Sequence, residues 1–197
     1  MSTLSRRSSR LATWIAVPAA LVAAGIVVSS SSYAAFSDTT SNDGNSWRAG
    51  TVQLDDDDAG RALFTVPNAK PGDGGTTCIT VTSTGSLASD VRLYAVDATG
   101  SNALPDHLAL AVEVGNGGGS GSCDGFQPQG DAVFRGTVAQ FTSAHTSFAS
   151  GAPSWSPAGA PSESRTYRFS WQLDADAPNS VQGGTASTTF VWEAQNS

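Results

Sequence analysis

An all-β fold is what this sequence predicts, an antiparallel, jelly-roll-like sandwich of about eight strands with one or two short helices. Three observations carry that expectation. Apolar and polar residues alternate with a period of two across most of the chain after residue 50, with Thr, Val and aromatic residues prominent. Short stretches rich in Gly, Pro, Ser and Asp separate the alternating runs. Helical periodicity is confined to a few residues.

The first 34 residues differ in kind from the rest. Arg6, Arg7 and Arg10 form a basic start, Leu11 to Val28 is an uncharged apolar run, and Ser32-Tyr33-Ala34 supplies small residues three and one positions before a cut. This is the layout of a secretory signal peptide. Cleavage after Ala34 makes Ala35 the first mature residue. Cleavage after Ala35 is the less favoured option, because bulky Tyr33 then stands three positions before the cut. The 18-residue apolar run borders on the length of a membrane span, so an uncleaved anchor is the alternative. The composition switch at Ser29 favours cleavage and leaves no stable membrane anchor. Arg6-Arg7 does not make a twin-arginine signal, since Ser9 and Arg10 stand where apolar residues belong. Residues 1–34 therefore read as signal peptide, 35–50 as a polar linker and 51–197 as one β domain.

Within the domain, Val52 and Leu54 alternate with Thr51 and Gln53, and Phe64 and Val66 make a second short run. Pro71-Gly72-Asp73-Gly74-Gly75 is a turn. Ile79 and Val81 define the next strand, followed by Val91-Leu93-Ala95 and Leu108-Leu110-Val112-Val114. Residues 115–130, with six glycines between Gly115 and Gly125, read as a flexible loop. Ala132 to Arg135 is a weaker strand. Thr137 and Gln140 have the spacing of a capping box and predict a short helix over Thr137 to Ala144. Residues 149–164, rich in Pro, Ser and Gly, read as a second loop. Tyr167, Phe169, Trp171 and Leu173 share one face of a strand, a single helical turn follows over Pro178 to Gln182, and Thr188, Phe190, Trp192 and Ala194 share a face of the last strand.

Charge narrows the function classes. The signal region holds three of the ten basic residues and none of the seventeen acids, leaving a mature net charge of −10. With Lys70 the only lysine, the chain lacks the basic patch that nucleic acid requires. Cys78 and Cys123 are the only cysteines, both in the exported part, and predict a disulfide.

Several motifs together carry a family resemblance. Ala34-Ala35-Phe36-Ser37-Asp38-Thr39, then Trp47, Ala49-Gly50-Thr51-Val52 and Leu54, then Lys70-Pro71-Gly72-Asp73, resemble the TasA/camelysin family of Gram-positive secreted proteins. Tyr167 through Asp174, Asp176-Ala177, Asn179-Ser180 and Trp192-Glu193-Ala194 resemble its actinobacterial branch. The resemblance implies a jelly-roll fold, a SipW-type signal and signal peptidase acting at Ala34 or Ala35, and a place in extracellular matrix fibres. In fibre-forming members the freed amino-terminal segment inserts as a strand into the next subunit. Here that donor strand is Ala35 to about Ser46, with Phe36 as its apolar anchor, and the expected partner is a second copy or a related matrix protein. A frayed polar tail is the alternative for this segment.

Camelysin is itself classed as a metalloprotease, yet His107 and His145 are the only histidines and no acid completes an H-E-x-x-H pattern. No catalytic residue, metal ligand or cofactor is expected. The run Asp55-Asp56-Asp57-Asp58 reads as an acidic turn. Calcium binding is its alternative, although Ala59 and Val66 stand where an EF-hand loop needs oxygen ligands. Trp155, in the Pro/Ser-rich stretch, is the aromatic best placed to stack on a ligand if the chain is a monomeric adhesin or carbohydrate-binding module. Glu193 to Ser197 carries no sortase-type sorting signal, so covalent wall anchoring is not expected.

Overall fold

Alternating Thr/Val/Ile and aromatic positions give each strand one apolar face, and two such sheets bury those faces against each other. A computed structural model describes residues 50–197. The signal region, Ala34, Ala35, Phe36, the proposed donor segment and Trp47 lie outside the described residues. Nine strands form two antiparallel sheets among those described. They are β1 (Leu54–Asp56), β2 (Gly74–Ser83), β3 (Ser89–Gly100), β4 (Leu108–Asn116), β5 (Gln127–Pro128), β6 (Phe134–Thr137), β7 (Ala152–Trp155), β8 (Glu163–Leu173) and β9 (Ala186–Asn196). One sheet has the order β1-β2-β8-β4-β5, with β6 also on β4, and the other the order β7-β3-β9. Two helices, α1 (Leu104–His107) and α2 (Val138–Ala144), pack on each other and on β4 and β6, and α2 also touches β3. Among the described residues no helix is long and apolar enough to cross a membrane.

The inner faces supply the core. Ile79 and Val81 from β2, Leu93 and Ala95 from β3, Leu110, Val112 and Val114 from β4, and Tyr167 and Phe169 from β8 are all buried together. Phe141 of α2 joins them at 0 % exposure, held there by a capping box. The Thr137 side chain accepts from the Gln140 N–H at 3.2 Å, while the Gln140 side chain accepts from the Thr137 N–H at 2.9 Å. The Asn179–Val181 turn lies inside the span expected for it.

Three segments differ from the sequence expectation. Phe64 and Val66 are not in a strand. Pro67 offers no N–H, Asn68 is left-handed at φ 58°, and Phe64 instead packs edge-on to Trp171 at 6.4 Å. Residues 149–164 are not all loop, because β7 lies within them and pairs with β3 from Val91↔Trp155 to Leu93↔Ala152. Pro153 hides that strand from pattern reading but is compatible with a strand that has a partner on one side only. The alternation at Thr51 to Leu54 becomes regular strand only at Leu54, so Asp55 and Asp56 belong to β1 opposite Thr82 and Val81.

Candidate functional site

β9 closes the β7-β3-β9 sheet with β3 on one side and no described strand on the other. The pairing parity shows which backbone groups are free. Thr189, Val191, Glu193 and Gln195 oppose the even-numbered residues of β3. The Ser197 N–H reaches Ala88 O at 3.4 Å on that same parity, whereas Ala95 N–H turns away from β9 to His145 O at 2.9 Å. In an antiparallel ladder a residue's N–H and C=O point to one side and successive residues alternate. The groups of Thr188, Phe190, Trp192 and Ala194 therefore point along the free edge. Inside the sandwich, Phe190 and Trp192 pack on Phe169 with ring centroids 4.8 and 6.0 Å away. Phe169 is wholly buried, but Phe190 and Trp192 are only partly so, as are Leu54, Leu63 and Phe64 against the same core. β1 approaches β9 without pairing with it.

The chain enters the domain at a fixed point. The Thr51 N–H donates to Ser86 Oγ at 2.9 Å, and Thr51 O accepts from Ser86 N–H at 2.8 Å and Leu87 N–H at 3.2 Å. Gly85 permits this approach, because a Cβ there would sit 2.5 Å from Thr51 O and 2.9 Å from Val52 Cα. Two residues further on, Ser89 opposes Asn196, so this entry point lies at the carboxyl end of β9.

The acidic run is mostly occupied by backbone donors. Asp57 accepts the Thr80 N–H at 2.8 Å through one oxygen and the Ser120 N–H at 2.8 Å through the other. Asp58 accepts the Gly60 N–H at 2.6 Å, and Asp55 accepts the Thr84 hydroxyl at 3.2 Å. Partial burial, and then the neighbouring Asp58 carboxylate, hold the Asp56 carboxyl above its ordinary range. Asp57 and Asp58 lie beyond β1, and the hydrogen-bonded turn runs from Asp58 to Arg61, with Arg61 N–H on Asp58 O at 3.2 Å.

The glycine-rich stretch is strapped rather than free. Cys78 and Cys123 form a disulfide. Cys78 points to the outer face of its sheet, yet it is 1 % exposed because the strap covers it. Phe126 is buried there too, with the Arg168 guanidinium 4.5 Å from its ring centroid, and Arg168 in turn reaches Glu113 at 2.8 Å. Gln127–Pro128, expected as loop, forms β5. Trp155 does not stand out as a stacking platform. Its indole packs on the core, its Nε1 is buried, and Arg165 lies over its ring at 5.1 Å. Tyr167 is fully buried and donates to Ser154 Oγ at 2.8 Å, and burial pushes its phenol well above the usual tyrosine range.

A sequence profile described as camelysin metallo-endopeptidase matches residues 10–114, which is more than half of the chain. The chain belongs to the camelysin family. TasA proteins are the same family, so the resemblance at Trp47 to Leu54 and Lys70 to Asp73 falls within the matched residues. A search of curated proteins found no match. The camelysin profile's description names a metal-dependent peptidase, and the histidines do not fit that role. His107 Nδ1 stands 3.9 Å from Asp174, and His145 Nδ1 lies 2.6 Å from Ser150 O, packed against Phe134 and Phe141. Both cysteines are bonded to each other. Among the described residues no three His, Cys, Asp or Glu side chains are grouped to hold a metal ion. The free edge of β9 was not visible in the sequence, since only long-range pairing decides which strand ends a sheet.

Proposed function

We propose that this chain is a secreted structural protein of an extracellular matrix and assembles by strand donation. On this reading signal peptidase removes residues 1–34, cutting at Ala34 or at Ala35, and the freed segment of residues 35–50 leaves the β domain of residues 51–197. Residues 35–46 of one copy then pair with the open edge of β9 in another. Phe36 fills the incompletely covered apolar flank beside Phe190 and Trp192.

The observation that carries this reading is the pairing of an open edge with half-covered aromatics behind it. An unpaired edge offers backbone groups that an extended peptide satisfies. Burying one phenylalanine side chain adds about 1.5–3 kcal/mol. A head-to-tail contact of this kind that does not close on itself builds a filament. The disulfide agrees with an oxidising compartment. The reading assigns no catalytic role, cofactor or nucleic-acid partner.

The test compares mature protein starting at Ala35 with a version starting at Trp47, by sedimentation and electron microscopy. Fibres or oligomers are expected only from the longer protein. Equal monomers from both would contradict the reading and favour a monomeric binding module.

A further inference from the structure

The two sulfurs of the disulfide are unequally placed. Cys78 is 1 % exposed beneath the glycine-rich strap, whereas Cys123, on the strap itself, is partly exposed. We propose that this bond is a thiol-exchange site of fixed polarity, in which a small monothiol adds at Cys123 and Cys78 is the sulfur that leaves. The bond between the two cysteine sulfurs breaks and one between the incoming sulfur and Cys123 forms. The released electron pair stays on Cys78 Sγ, which takes a proton from water.

Access sets the polarity, because a thiolate must reach the sulfur that it attacks. Cys78 faces away from the core that Ile79 and Val81 enter from the same strand, and the strap closes over it. Cys123 is flanked by exposed Ser122 and Asp124, so it is reached with both sheets in place. The strap can then move by itself. Left-handed glycines stand on both sides of Cys123, with Gly117, Gly118 and Gly121 before it and Gly125 after it. Charge favours the same direction. Arg168 is the residue opposite Cys78 across the β2–β8 ladder, so the departing thiolate has a guanidinium neighbour, one shared with Glu113. Cys123 instead adjoins the acidic Asp124.

One contact opposes lasting release. Asp57 holds the N–H of Ser120, on the approach to Cys123, and that of Thr80, just past Cys78, each at 2.8 Å. It keeps the strap over β2, so the Cys78 thiolate stays near the mixed disulfide and expels the monothiol again. Buried Phe126, with Arg168 over its ring, anchors the strap's other side. Asp57 thus sets the lifetime of the adduct.

Folded mature protein starting at Ala35 is incubated with about 10 mM glutathione, on the millimolar scale of the effective concentration that a short tether gives the reclosing thiol. Free thiols are then capped with iodoacetamide and the peptides mapped by mass spectrometry. Glutathione is expected on Cys123 and the cap on Cys78, in about ten-fold or greater excess over the reverse labelling. In Asp57→Ala the trapped adduct is expected to rise about two- to ten-fold, the worth of one hydrogen bond, with Asp57→Asn between. Circular dichroism checks that the sandwich of each variant is intact. Glutathione on Cys78, or equally on both, overturns the polarity. Adduct in none of the proteins overturns the exchange site. So does adduct that forms only through global unfolding, recognised by a urea dependence as steep as that of unfolding itself. An unchanged amount of adduct in Asp57→Ala overturns the role given to Asp57.

Discussion

The Asp57 carboxylate accepts the backbone N–H of Ser120 at 2.8 Å, across 63 positions of sequence. Its second oxygen takes the N–H of Thr80, the β2 residue just beyond the last one that β1 pairs. One side chain thus ends the β1–β2 ladder and fastens the glycine-rich strap over the outer face.

Asp57→Ala leaves two backbone donors without this acceptor. The expected loss is about 0.5–1.5 kcal/mol in urea unfolding, the net worth of a hydrogen bond whose released donors are exposed and regain water. Asp57→Asn, which keeps one carbonyl acceptor, is expected to fall between the two. Wild-type stability in Asp57→Ala would show that the contact is incidental.

The disulfide joins residues 45 positions apart. Replacing both Cys78 and Cys123 with Ser is expected to lower stability by about 2–4 kcal/mol. Proteolysis should then begin between Gly117 and Gly125, where the strap loses its tether while Asp57 still holds Ser120. Cleavage elsewhere first would show that the strap holds its place without the bond.

Stability is expected to fall above about pH 10. The buried Tyr167 phenol keeps its proton to a higher pH in the folded chain than in the unfolded one. Below the ordinary tyrosine value both states are protonated and nothing changes. Above it the unfolded state alone ionises, so unfolding gains. Tyr94, raised by its hydrogen bond to Glu193, acts in the same direction. Tyr167→Phe loses the bond to Ser154, at about 1 kcal/mol near neutral pH, but its stability should fall less steeply in alkali. An unchanged alkaline slope would contradict this assignment.

The histidine geometry predicts no chelator-sensitive casein hydrolysis by the purified mature protein, and none lost on changing His107 or His145 to Ala. Hydrolysis that a chelator abolishes, and that either substitution reduces, would restore the peptidase reading of the camelysin family.

Local chemistry made much of the sandwich legible. Ile79 and Val81, Leu110 to Val114, and Tyr167 to Leu173 alternate with polar residues because one sheet face is buried, and the observed strands follow that pattern. The Thr137–Gln140 box is likewise local and marks α2 within a residue. What escaped reading depends on distant partners. β7 carries Pro153, and its strand character comes from lying against Val91 to Leu93. Phe64 looks like a strand residue, but Asn68 and Pro67 break the run and Trp171 takes its ring. Asp57 looks like one of four equivalent acids until the fold brings Thr80 and Ser120 to it. The open edge of β9 and the clamp at Thr51 have no local signature, because both are defined by what pairs across the sheets.

Amide exchange at β9 tests the central claim most directly. In the protein starting at Ala35, the backbone N–H groups of Phe190 and Trp192 should become strongly protected on assembly. In the version starting at Trp47 they should exchange readily, and a peptide of residues 35–46 should restore their protection. Equal exchange at Phe190 and Trp192 in all three samples would contradict strand donation to this edge.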